Sequence, residues 1–313
     1  MSSCVLPSPA LAGLHVFERG WLSSNNVLIP GADGEGAVLL DSGHSVHAAQ
    51  TLALVRHALG GQPLVRVINT HLHSDHCGGN AALQREFGAE AHVPPGSWDA
   101  VQAWDEERLS YAPTGQRCER FRAHGRVEPG RTLALGGRHW EVLAAPGHDP
   151  DSVMLFDALH GVLVSADALW ENGFGVVFPE LEGERAFDDV AAVLELIARL
   201  PVAVVIPGHG APFTDVAAAL ARARARLDAF RASPARHARH GAKVLLKYHL
   251  MEEQAQPLAE LRRWAGATPL LGTIWQRHAA RGEGFDAWFG ALLRELCEGG
   301  ALALHDDGVV RNA

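Results

Sequence analysis

The stretch Asn69-Thr70-His71-Leu72-His73-Ser74-Asp75-His76-Cys77-Gly78-Gly79-Asn80 decides the reading of this chain. It sets three imidazoles and a carboxylate within six residues, directly after the apolar run Leu64 to Ile68, which reads as a buried strand. Divalent transition metals take imidazole nitrogen and carboxylate oxygen in this combination. A loop at a strand end can turn four such side chains into one cavity, whereas a helix would scatter them around its circumference. His71 and His73 sit two apart, so an extended backbone points both the same way. Asp75 and His76 follow after the chain turns and could serve a second metal. Gly78-Gly79 then permits a tight turn into a helix expected from about Asn80. Surface histidines are the bland alternative, but even 18 histidines in the chain do not produce this density by chance.

The pattern His-x-His-x-Asp-His resembles that of the metallo-β-lactamase superfamily, and the family's later ligands have candidates in the expected order. His148 lies in Ala145-Pro146-Gly147-His148, Asp167 in Val164-Ser165-Ala166-Asp167 and His209 in Ile206-Pro207-Gly208-His209-Gly210. Each follows a strand-like run, the place where α/β folds present reactive groups. The resemblance covers about residues 14 to 215. It implies that His71, His73 and His148 hold one metal, that Asp75, His76 and His209 hold the other, and that Asp167 bridges them. Asp41, in Val38-Leu39-Leu40-Asp41-Ser42-Gly43, matches the family's early aspartate, which orients the ligand loop from behind without binding metal. Taken singly, His148 or His209 could be a satisfied loop histidine and Asp167 a helix cap.

The residue at the bridging position narrows the chemistry. True zinc β-lactamases of this kind carry cysteine or serine there, whereas Asp167 resembles the bridging carboxylate of glyoxalase II, the transfer-RNA 3′-processing nucleases and related hydrolases. An antibiotic-destroying role is therefore not expected. Cys77 lies outside the ligand pattern and reads as a small packing residue.

The whole composition is that of a globular protein with a large core: 313 residues, 47% hydrophobic and 20% charged. The four cysteines are widely spaced with no Cys-x-x-Cys, so neither a disulfide framework nor a zinc ribbon is expected. No secretory signal or span of ~20 apolar residues is visible, and a cytoplasmic location is the default expectation. A net charge of −9 argues against broad nucleic-acid affinity. One region dissents. From Ala217 to Lys247 there are eight basic residues and one acid, Asp228, and the Ala-rich part to Ala232 reads as a helix. A solvated face is the simpler explanation; a phosphate- or carboxylate-steering surface near the metals is the sharper one.

Strand-like runs at 26–29, 37–41, 64–69, 132–135, 139–144, 153–156, 161–165 and 202–206 alternate with helical patterns at 46–59, 79–87 and 187–200. They suit the α+β architecture of the family, an αββα sandwich with metals at one edge. Residues 94–126 look like an insertion with a helix over 97–110, either a packed hairpin or a lid. Trp170 and Phe174, close after Asp167, are expected on a substrate pocket wall. After residue 240 come four helical stretches and a terminal hairpin around Asp306-Asp307-Gly308. They resemble the small winged-helix-like domain that ends one branch of the superfamily. The expected division is 1–215 catalytic, 216–240 a linking helix and 241–313 the winged-helix-like part, which serves structure or a homodimer contact more readily than nucleic acid because Phe285 to Cys297 has no basic face.

The resemblance and the residues together lead to a binuclear zinc hydrolase acting on a small ester, thioester or lactone through a metal-bridging hydroxide, with Asp75 as proton acceptor. Such sites place two cations about 3.5–4 Å apart and supply hydroxide near neutral pH. Two other chemistries use the same fold: a single-stranded RNA or DNA phosphodiesterase, and a mononuclear iron dioxygenase acting on sulfur. Ligand types alone leave Fe and Mn open beside Zn.

Overall fold

A computed structural model describes residues 8–32 and 34–313. The first sheet has six strands in sequential order: β1 (His15–Phe17), β2 (Asn26–Ile29), β3 (Ala37–Leu40), β4 (Leu64–Ile68), β5 (Glu90–Val93) and β6 (Ala123–Arg126). Antiparallel pairing carries β1 through β3, and parallel pairing carries β3 through β6. The parallel crossovers bring α1 (Ala48–Leu59), the short α2 (Ser74–Cys77) and α3 (Asn80–Phe87) onto this sheet. Between β5 and β6 come α4 (Trp98–Ala103) and α5 (Tyr111–Thr114).

The second sheet runs β11-β10-β9-β8-β7 across space. Its strands are β7 (Thr132–Leu135), β8 (Arg138–Ala144), β9 (Val153–Asp157), β10 (Val162–Ala166) and β11 (Val204–Pro207), with α6 (Phe178–Glu182) and α7 (Phe187–Arg199) before the last. Alternate residues of the strands explain why the two sheets face each other. Val27, Ile29, Val38, Leu40 and Ile68 of the first sheet pack on Trp140, Val142, Leu155, Val164 and Ile206 of the second. The intervening residues point outward: Leu28, Leu39 and Val67 meet Val55 and Leu83 of α1 and α3. Met154, Phe156, Leu163 and Val205 meet α7 and α8 (Val216–Ala232) in the same way. A strand slipped by one residue would exchange these sets, so both faces fix the register. The result is the expected αββα sandwich, and its loops at one edge carry the histidines.

The chain then enters α9 (Pro234–Glu253), whose N-terminus is capped by Ser233, so 234–240 continue directly into the helix that follows. β12 (Ala255–Pro257), α10 (Leu258–Ala267), α11 (Pro269–His278), α12 (Phe285–Glu298), β13 (Leu302–Leu304) and β14 (Val309–Asn312) complete it. The terminal hairpin is there, with Gly308 at φ +75°, and β12 adds a third strand in the order β12-β14-β13. These helices have their own core, and Val176, from the loop after β10, and Leu181 of α6 reach into it.

The helix expected over 97–110 stops at Ala103. Trp104 turns to a left-handed φ of +54°, and Asp105 Oδ1 accepts from the backbone N–H of Glu107 and Arg108 at 3.2 Å each. The turn lets the Trp104 ring meet Tyr111 and Phe121 instead of continuing a helical face. Residues 94–126 are thus packed against, and at β6 part of, the first sheet, and their tryptophans lie away from the metal-edge cavity.

Candidate metal centre

Five of the seven residues singled out for metal chemistry sit in loops just beyond the end of a strand, and the other two, Asp75 and His76, sit in the short helix that follows. His71 and His73 follow β4; α2 then turns Asp75 and His76 back toward them. Buried asparagines fix this loop: Asn80 Nδ2 donates to Asn69 Oδ1 at 2.7 Å and Asn69 Nδ2 donates to His76 O at 3.1 Å. His148 follows β8, Asp167 follows β10 and His209 follows β11. Two non-glycine residues here are left-handed, Asp41 at φ +53° and Ala166 at φ +46°, strain of the kind that clusters at functional sites. Gly208 is required sterically, since a Cβ there would lie 2.1 Å from Asp167 Oδ1.

The structure brings the seven ligand candidates together. His71, His73 and His148 offer ring nitrogens within 4.8 Å of one another, as do the donor atoms of His71, His76 and Asp167 and those of Asp75, His76 and His209. His73 Nδ1 and His148 Nε2 are 2.8 Å apart, and His71 Nε2 is 3.1 Å from His73 Nδ1. Asp167 carries one oxygen 3.4 Å from His76 Nε2 and the other 3.3 Å from His148 Nε2, so it lies between the two clusters.

Hydrogen bonds behind the rings aim them. His148 Nδ1 donates to Val176 O at 2.6 Å, which leaves Nε2 as the inward atom. Asp41 Oδ2 accepts from His76 Nδ1 and from Thr70 Oγ1, both at 2.7 Å, while Oδ1 accepts the Thr70 N–H at 2.9 Å. His76 Nε2, which faces the centre, is buried with no hydrogen-bond partner, whereas His209 faces it with Nε2, 3.0 Å from Asp75 Oδ2. Orphaned buried nitrogens are costly unless something binds them.

The electrostatics divide the centre in two. Burial and neighbouring imidazoles push the His71 and His73 pKa values down, His73 to about 3, and burial lowers His148. These rings are neutral, as metal ligands must be. Burial disfavours charge on His76 too, but Asp41, Asp167 and Asp75 outweigh it and raise its pKa well above the ordinary value. Burial alone would raise the Asp75 and Asp167 carboxyls; His76 and its neighbours instead hold both below the usual carboxylate range. A buried group of carboxylates therefore demands positive charge at this spot. Neutral imidazoles, buried carboxylates and the unpartnered Nε2 of His76 fit a resident cation.

A cavity of about 530 Å³ opens from His73, Asp75, His148, Asp167 and His209 toward α8 and α9. Trp170 stands on its wall and donates from Nε1 to Asp167 Oδ1 at 3.2 Å. Phe174, expected on the same wall, is buried behind it, 6.3 Å from the Phe230 ring. Two contributors carried no signal in the sequence. Trp21, 58% exposed, stacks on His209 with ring centroids 5.4 Å apart, and Tyr248 of α9 reaches back so that its hydroxyl lies 3.4 Å from Ser74 Oγ. Both come from segments remote in sequence from every ligand motif, so only the folded chain shows them.

Comparison with known proteins agrees with this geometry. The chain is 31% identical over 162 residues to the acyl-coenzyme A thioesterase MBLAC2 of Bos taurus, covering 47% of this chain and 56% of that protein. It is 32% identical over 219 residues to the hydroxyacylglutathione hydrolase of Anaeromyxobacter dehalogenans (strain 2CP-C), covering 68% and 74%. The chain spans little more than half the length of the thioesterases it matches. Among solved structures, a beta-lactamase domain protein from Burkholderia ambifaria shares the fold along 99% of this chain and 97% of its own, at TM-score 0.60 and 24% identity. A metallo-beta-lactamase family protein from Thermus thermophilus covers 96% and 99% at TM-score 0.55 and 22% identity. Among the described residues no helix is long and apolar enough to cross a membrane. The family model of the metallo-beta-lactamase superfamily matches residues 19–209, which hold every one of the clustered ligand candidates, and the chain belongs to that superfamily.

Proposed function

We propose that this protein is a metal-dependent hydrolase of thioesters. The observation that carries the reading is the convergence of three donor sets on one buried centre with Asp167 between them. In this reading His71, His73 and His148 would hold one zinc ion, Asp75, His76 and His209 a second, and Asp167 would serve both. Such a pair lowers the pKa of a shared water toward neutrality and draws charge from a substrate carbonyl. The relatives narrow the acyl chemistry, since acyl-coenzyme A and hydroxyacylglutathione are both thioesters by composition.

The chain's own residues supply the rest. Asp75, which stands both among the donor atoms and on the cavity wall, would take the proton released as the nucleophile attacks carbon. Asp41 fixes the His76 ring, and the Val176 carbonyl fixes His148. Trp21, Trp170 and Phe178 give the cavity an apolar wall that orients the acyl group and excludes bulk water. The segment after residue 240 reads as a winged-helix-like unit that closes the far side of this cavity through Lys243, Val244, Tyr248 and Met251.

The test is hydrolysis of a panel of thioesters, esters and lactones by purified protein before and after chelation, with metal counted by elemental analysis. Thioester turnover lost on chelation and restored by zinc, at two ions per chain, is the expected result. A folded, zinc-loaded protein that leaves every thioester intact would end this reading.

A further inference from the structure

The positive stripe on α8 and α9 is not absorbed by the hydrolytic centre. It lines a second, more open groove of about 800 Å³, bordered by Arg226, Phe230, Arg236, Arg239, His240 and Lys243 among others, with no acidic residue on its wall. Arg226, His240 and Lys243 also line the cavity that leads to the metal centre, so the two spaces share one wall.

Arg226 is the informative residue. Its guanidinium lies over the rings of Phe174 (5.6 Å) and Phe230 (5.3 Å), and Nη2 is 2.7 Å from His240 Nε2. Nη1 donates weakly to Asn172 O at 3.5 Å. Among the described residues no carboxylate lies within 4.0 Å of Arg226 or of Arg236. A half-buried guanidinium set against two aromatic rings, with no carboxylate, is open to an anion, and its planar fork suits phosphate. Arg239 and Lys243 share a single carboxylate, Glu295. The groove therefore keeps an excess of positive charge.

We propose that this groove seats the phosphate groups of the substrate's thiol carrier, so that the substrates are acyl thioesters of a multiply phosphorylated thiol. The proposal rests on the thioester reading above. The acyl–sulfur bond sits at the metal centre, the carrier's arm follows the shared cavity, and its phosphates reach Arg226, Arg236 and Lys243. A carrier of the glutathione kind is zwitterionic, and its ammonium would find no carboxylate on the groove wall. Four cations (Arg226, Arg236, Arg239 and Lys243) against the one carboxylate of Glu295 favour a carrier that brings only negative charge.

The experiment compares acetyl-coenzyme A with acetyl-pantetheine, which has the same thiol arm and no phosphate, in wild type, Arg226→Gln and the pair Arg236→Gln/Lys243→Gln. Wild type is expected to prefer the phosphorylated thioester. The ratio of the two kcat/KM values should fall about tenfold in each variant, through KM, and also fall with added salt. Arg226→Gln disturbs two aromatic contacts, and the Arg236→Gln/Lys243→Gln pair, which leaves both contacts in place, keeps the test valid if that variant misfolds. Binding of adenosine 3′,5′-bisphosphate, measured by calorimetry, should weaken about tenfold in the same variants. An unchanged ratio together with unchanged bisphosphate binding overturns the phosphate seat and leaves the thioester reading standing. Bisphosphate binding that depends on these residues, with neither thioester hydrolysed, overturns the thioester reading and hence the assigned substrate. Single-stranded RNA cleaved in preference to both thioesters, and less by the variants, overturns the small-carrier assignment.

Discussion

Asp41 Oδ2 and His76 Nδ1 lie 2.7 Å apart, a bond that fixes which nitrogen of His76 faces the centre. Because Asp41 accepts at Nδ1, the lone pair is left on Nε2, the atom with no other partner. Asp41→Asn reverses this logic. An amide nitrogen facing Nδ1 donates to it and moves the ring proton to Nε2, where it blocks a metal. Zinc affinity, measured by competition with a chromophoric chelator, should fall roughly 10–100-fold. Wild-type affinity in a folded variant would show that Asp41 does not orient this ligand.

Asp167 contacts ring nitrogens on both sides of the centre, 3.3 Å from His148 Nε2 and 3.4 Å from His76 Nε2. Asp167→Ala removes the charge these rings share. Metal content and thioester turnover should drop together, turnover by on the order of 10²-fold or more. Arg222→Ala is the control: its exposed side chain only donates to Glu171 O at 2.7 Å, and metal content should stay at the wild-type value. Full metal content and full turnover in Asp167→Ala would remove it from the bridging position.

Tyr248 brings a hydroxyl from α9 to the cavity wall. Burial and the nearby Asp75 raise its pKa well above the usual tyrosine value, so it remains a neutral donor throughout the working pH range. Tyr248→Phe should lower kcat/KM about tenfold, the effect of losing one hydrogen bond made in the transition state, with little change in Tm. Unaltered kinetics would make the hydroxyl a strut between Ser74 and Leu22 and nothing more.

The αββα sandwich was legible because five of its strands are short, near-continuous apolar runs buried on both faces. Eight strand-like runs fall on β2, β3, β4, β7, β8, β9, β10 and β11, each to within about two residues at its ends. The misses share a cause. β5 (Glu90–Val93) and β6 (Ala123–Arg126) carry Glu, His, Gly and Arg, so they lack an apolar period and become strands only by pairing with the sheet edge. β1 and β12 are three residues each, too short to show any period. At the site, the histidines and aspartates announced themselves by motif. Trp21 and Tyr248 did not, because an aromatic side chain in a loop or long helix has many structural uses and only the fold decides among them. Phe174 shows the reverse error: nearness to Asp167 in sequence suggested the pocket, and the left-handed turn at Ala166 and the following loop carry it into the core instead.

His237 ties stability to pH away from the metals. The ring is buried between Phe187 (5.2 Å) and Phe230 (4.8 Å), and its Nε2 accepts the Val177 N–H at 3.2 Å. Burial, with His240 and Arg226 nearby, pushes its pKa down to about 3. The folded value lies below the unfolded value of about 6.5, so the unfolded chain binds a proton that the folded one refuses. The sign follows: stability is complete above pH 6.5 and falls as the pH drops below it, by up to about 1.4 kcal/mol per pH unit for this one ring, until the folded pKa is reached. His240, lowered to about 4, adds to the same slope. Urea unfolding between pH 7.5 and pH 5 should show this loss, and His237→Gln, which keeps an acceptor near Val177, should flatten it by roughly one ring's share. Equal slopes for both proteins would mean that His237 is protonated in the fold and that its aromatic neighbours admit the charge.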